Sequence, residues 1–86
     1  MHNLITNYIN NLTKDDLNNF AIKKNIFLSN NELNWTYSFI KNNYLNIINN
    51  PNAFNIELYR NNYSEENYNK IKKVFNEYFS KYSHYL

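Results

Sequence analysis

The sequence predicts an all-α fold, a compact bundle of four to five short helices forming a single domain over residues 1–86. Three observations lead there. Apolar residues recur at three- and four-residue spacing in four separate windows, as on one face of a helix. Helix-start signals stand ahead of three of those windows, at Thr13, Ser29 and Ser64. Only Phe54, Ile56 and Leu58 alternate as a strand would, and no second strand is present to satisfy the backbone of the first.

Leu4, Ile5, Tyr8, Ile9 and Leu12 mark a first helix over 3–11. Thr13 opens the next, its hydroxyl placed to accept an orphan backbone N–H, with Asp15 and Asp16 favouring the positive helix end. Asn10-Asn11 stand at the end of the first helix, where asparagine best replaces glycine in the left-handed closing position. Over 14–24, Leu17, Phe20 and Ala21 share one side, and Asn25 ends the helix. Asn25-Ile26-Phe27-Leu28 is too apolar for a loose linker, so an extended joint pinned into the core is expected. Ser29-Asn30-Asn31-Glu32 is a capping box, in which the cap and third-position side chains each accept the other's backbone N–H.

The longest helix follows over 30–49, with Leu33, Tyr37, Ile40, Tyr44 and Ile47 in one stripe. Trp35, Phe39, Leu45 and Ile48 widen it beyond a single face, which marks a central helix touched from several sides. Pro51 stops it. A short helix over 55–60 is preferred to a strand, and Ser64-Glu65-Glu66 starts the last helix, with Tyr68, Ile71, Phe75, Tyr78 and Tyr82 in its stripe. Glu66 with Lys70 and Glu77 with Lys81 are spaced as favourable i,i+4 pairs.

From Leu12 to Leu33 the chain resembles a family of short uncharacterised all-helical proteins from Firmicutes, a domain of unknown function. Thr13, Asp16-Leu17, Phe20-Ala21, Ile26, Leu28, Ser29 and Glu32 carry the likeness, which extends to Asn52-Ala53-Phe54-Asn55 and to Ile71, Val74 and Phe75. It departs at Asn49-Asn50-Pro51, where the family pattern has a glycine-containing joint. The resemblance implies an all-α fold and a bacterial origin, and it implies no activity.

Composition narrows function mainly by exclusion. The chain has 22 asparagines in 86 residues, no cysteine and no glycine. Without cysteine there is no disulfide, thiolate zinc site or thiol nucleophile, and without glycine the phosphate-wrapping loops of nucleotide enzymes are out of reach. His2 and His84 stand at opposite ends, short of the ligands a zinc site needs. Asp15, Asp16, Glu32, Glu65 and Glu66 all fall in first helical turns, where the dipole accounts for them. Ser29 and Ser64 are caps before they are nucleophiles. The N-x-S/T matches at Asn11, Asn34 and Asn62 number about what so much asparagine gives by chance. No catalytic residue, metal or cofactor is therefore expected. There is no signal-like N-terminus and no run of about 18 apolar residues, so the expected setting is the cytoplasm, with no membrane span.

Two binding roles remain. Sixteen aromatic residues are more than so small a core encloses, and Tyr and Trp suit interfaces. Phe79, Tyr82 and Tyr85, near the C-terminus, are the candidate contacts for a protein partner or a homodimer. The alternative is nucleic acid, since helix, extended linker, helix is also the plan of small SAP-like DNA-binding modules. Lys23, Lys24, Lys70, Lys72 and Lys73 are its candidate contacts. The net charge is only +2, with four basic and three acidic residues in 1–43 and five and four in 44–86. A nucleic-acid role therefore requires those lysines and Arg60 to share one face.

Overall fold

The computed structural model describes residues 2–50 and 53–82, with the side chains of His2, Asn3, Ile5 and residues 78–82 left undescribed. The described residues form four α-helices, α1 (His2–Asn11), α2 (Lys14–Lys23), α3 (Asn30–Asn49) and α4 (Glu65–Tyr82), with a 3-10 helix (Ile56–Asn62) between the last two. Among the described residues there is no strand. α1 and α2 both pack on α3, and the 3-10 helix packs on α4. The radius of gyration is 12.7 Å, close to the ~12 Å of a compact domain of this length.

The helix starts are those the side chains dictate. Thr13 Oγ1 accepts from Asp16 N at 3.0 Å, and Asp16 Oδ2 accepts from Thr13 N at 3.1 Å. Ser29 and Glu32 repeat the exchange at 3.2 and 2.8 Å. Asn55 Oδ1 accepts from Glu57 N at 3.1 Å, starting the 3-10 helix. A short helix of that kind satisfies much of its own backbone, which an unpaired strand here could not.

Helix ends are closed as carefully. Asn25 sits at φ 62°, the left-handed conformation, and around it Asn25 N donates to Ile22 O at 2.9 Å while Ile26 N donates to Ala21 O at 2.8 Å. This pair of bonds is a Schellman motif, and its apolar contact is Ala21 with Ile26, exposed by only 5% and 4%. Lys70 Nζ then reaches Asn25 O at 2.9 Å. At the end of α1, Lys41 Nζ donates to Ile9 O at 2.6 Å and Asn10 O at 3.0 Å, and Tyr37 Oη donates to Leu12 O at 3.0 Å. Cations thus sit on carbonyls that helices leave unpaired. α3 ends at Asn49, just ahead of Pro51, which lies outside the described residues.

The joint between α2 and α3 is only partly what its composition suggests. Ile26 is buried and Leu28 half-buried, but Phe27 turns outward, 64% exposed. Extended backbone alternates its side chains, so three consecutive apolar residues cannot all face one core. Leu12, Ala21, Ile26 and Tyr68 are the fully buried apolar residues among those described.

Tyr68 is the largest of them, 1% exposed, and its hydroxyl has no hydrogen-bond partner among the described residues. An unpaired buried hydroxyl costs about 1–3 kcal/mol of desolvation. Tyr68→Phe is therefore expected to raise stability by about 1 kcal/mol, seen as a melting temperature higher by roughly 4–8 °C. A fall of similar size would mean that the hydroxyl is bonded, for example to an internal water.

Candidate functional site

Glu32 organises the middle of the molecule. It is 7% exposed, and among the described residues no cation forms an ion pair with it. Its carboxylate instead gathers N–H groups: Oε1 accepts from Ser29 N and from Asn67 Nδ2, each at 2.8 Å, and Oε2 accepts from Ser64 N at 2.7 Å. Ser64 caps α4, its Oγ accepting from Asn67 N at 3.1 Å. Position three of α4 is thus Asn67, which cannot serve Ser64 N as a carboxylate would. Glu32 does so from 32 residues away. One carboxylate completes the capping boxes of both α3 and α4, at the positive ends of two helix dipoles.

Asn67 Nδ2 also donates to Phe27 O at 3.0 Å, tying in the α2–α3 joint. Burial by itself pushes the Glu32 carboxyl up, but the N–H groups of Ser29 and Ser64 and the Asn67 amide outweigh it and hold the group below its ordinary value. Beside it Thr36 Oγ1 donates to Glu32 O at 2.7 Å and bonds the Tyr63 hydroxyl. Burial pushes the Tyr63 phenol up. This network is a lock between helices, and nothing in it is an exposed reactive group.

Two other regions face outward. The first is the groove between α1 and α2, about 580 Å³, walled by Tyr8 and Phe20 with Leu12 at its floor and Asp16 and Lys23 at its edge. The α1 stripe expected to face the core is split: Leu12 is buried and Ile9 half-buried, whereas Leu4 and Tyr8 stand 73% and 64% exposed. Phe20, expected to point inward, is 40% exposed on the same groove.

The second is a continuous aromatic cluster joining α3, the 3-10 helix and α4. Phe39 stacks on Trp35 at 5.1 Å and meets Tyr59 at 4.7 Å, Phe54 meets Phe75 at 4.9 Å, and Tyr63 stands edge-on to Trp35 at 5.7 Å. All are half-buried. A cleft of about 360 Å³ opens over Phe39, Phe54 and Tyr59.

The sequence-predicted contacts are placed as follows. Phe79 and Tyr82 lie on the α4 backbone but their side chains, like all of Tyr85, fall outside the described residues. The lysines divide between two grooves and an ion pair. Lys24, Lys70 and Lys73 line a shallow groove of about 280 Å³ together with Glu77. Lys23 borders the α1–α2 groove. Lys72 pairs with Glu57 at 3.0 Å, and the Arg60 guanidinium lies over the Tyr68 ring at 5.1 Å. Lys70 is tied to Glu66 at 3.3 Å as well as to Asn25. Much of the positive charge thus serves helix ends and pairs.

Among the described residues, no group of three or more acidic or histidine side chains is gathered to hold a metal, and no helix is long and apolar enough to cross a membrane. No protein-family model, curated protein or solved structure matches the chain.

Proposed function

We propose that the protein is a non-enzymatic, self-associating helical module and that the α1–α2 face seats a second copy of the same face. The observation that carries this is the pairing of a ridge with a groove on one surface. Leu4 and Tyr8, one turn apart, stand largely exposed beside the groove that Tyr8 and Phe20 wall. A two-fold interface uses one patch on both subunits, so a ridge adjoining its own complementary groove fits that symmetry.

Charge supports it. α1 contains no Asp, Glu, Lys or Arg, and depletion of charge is the compositional mark of interface centres. The groove edge offers one acid and one base, Asp16 and Lys23, which a two-fold arrangement can set against each other. Two ten-residue helices side by side give a face of roughly 15 by 20 Å, smaller than obligate dimers bury. The association expected is therefore reversible and concentration-dependent.

A mixed sample tests it. One population carries a spin label at Asn7→Cys, the only cysteine in the chain, and the other is unlabelled and enriched in 15N. Intermolecular broadening is expected at the amides of Leu4, Tyr8 and Phe20 and not at those of Glu65 and Glu66. Broadening absent at millimolar concentration, or spread evenly over the surface, counts against the proposal.

A further inference from the structure

The geometry points to a second site, independent of self-association: the cleft over Phe39, Phe54 and Tyr59 binds an uncharged heteroaromatic ring with a donor–acceptor edge, of the nucleobase class. Its floor is aromatic. Phe54 and Tyr59 lie nearly parallel, 17° apart with centroids at 5.8 Å, and Phe39 closes on Tyr59 at 4.7 Å. Its rim is amide, supplied by Asn43, Asn46 and Asn49 at successive turns of α3. None of the described residues lining it is charged.

Each feature restricts the ligand. Half-buried rings offer their faces for stacking, which every base can use. An asparagine amide both donates and accepts, and can pair with the edge of a base in two bonds at once. Asn43 Nδ2 donates to Phe39 O at 3.0 Å, which leaves its Oδ1 as the acceptor. Asn46 and Asn49 make no side-chain hydrogen bond among the described residues, so their amides are available. The absence of charge from the lining favours the base over any phosphate attached to it. At about 360 Å³ the cleft lies at the small end of ligand pockets, the size of one ring system rather than a cofactor.

The chain carries a single tryptophan, and Trp35 stacks on Phe39 and meets Tyr59 at 5.4 Å. Its fluorescence reports on the floor of the cleft. Titration of the full chain with adenosine, guanosine, cytidine and uridine is expected to change that emission saturably, with a dissociation constant on the order of 0.1–1 mM for the best of them. The side-chain amide signals of Asn43, Asn46 and Asn49 should shift in parallel. Asn46→Ala, on an exposed position that leaves the core intact, should weaken binding at least about fivefold, and Asn69→Ala on α4 should leave it unchanged. Tyr8→Glu, which acts on the α1–α2 face, should also leave it unchanged, so this site and self-association fail separately. Tighter binding of a short single-stranded oligonucleotide than of the free nucleoside assigns the base to a strand; the reverse assigns it to a free compound. No saturable change up to about 10 mM, or equal binding of a methyl glucoside, overturns the inference.

Discussion

Glu32→Gln is expected to cost about 3 kcal/mol of stability, which for an 86-residue chain is a melting temperature lower by roughly 12–24 °C. Three N–H donors converge on the carboxylate, from Ser29, Ser64 and Asn67. A glutamine offers one carbonyl oxygen where two oxygens accept now, and its NH2 would point at donors. At least one buried N–H is then left unpaired, and hydrogen bonds to a charged group are the stronger kind. Since α3 and α4 share this acceptor, both helix starts should loosen together.

The same carboxylate sets an acid limit. Its folded-state pKa lies below the ordinary glutamate value, so its contribution is fully present above that ordinary value and is lost as pH falls through the lowered one. Stability measured by circular dichroism should decline over that acid range in the wild type, and the Gln variant should show a shallower decline. A Glu32→Gln penalty below about 1 kcal/mol at neutral pH would show that the carboxylate is not the lock described.

Why this lock could be half read from the sequence is instructive. Ser29-x-x-Glu32 is a local signal, and the exchange within it depends only on three-residue spacing. The same holds for Thr13, whereas the left-handed residue expected at Asn10-Asn11 stands at Asn25 instead. Glu32's bond to Ser64 N spans 32 residues, and no local pattern encodes it. The one available hint was a missing piece: Ser64 opens a helix whose third residue, Asn67, is not an acid.

The α1 face failed for a related reason. Spacing groups Leu4, Tyr8 and Leu12, but it does not say where along α1 the cover from α3 ends. Lys41 and Tyr37 meet only the C-terminal end of α1, and Leu4 lies two turns away from it. Likewise the basic residues look like one supply of charge in the sequence, until helix ends and pairs claim Lys41, Lys70 and Lys72.

Phe39→Ala should be the second large effect, about 3 kcal/mol. Phe39 contacts Trp35, Tyr59 and Phe54, and a fully buried Phe→Ala costs about 3–5 kcal/mol. Phe39 is half-buried, which lowers that figure, while three aromatic contacts at about 0.5–1.5 kcal/mol each raise it again. The emission of Trp35 should shift to longer wavelength as water reaches its ring. Leu45→Ala on the same helix, at a position 46% exposed, should change stability by no more than about 0.5 kcal/mol. Equal penalties at the two positions would mean that the cluster contributes no more than general burial.

The α1–α2 face as a self-associating surface is tested most directly by sedimentation equilibrium from about 10 μM to 1 mM. The weight-average mass of the wild type should rise with concentration from that of the monomer toward that of the dimer, while Tyr8→Glu, which puts a charge on the exposed ridge, should stay monomeric. A wild type that remains monomeric throughout, or a Tyr8→Glu variant that associates equally well, would contradict the assignment.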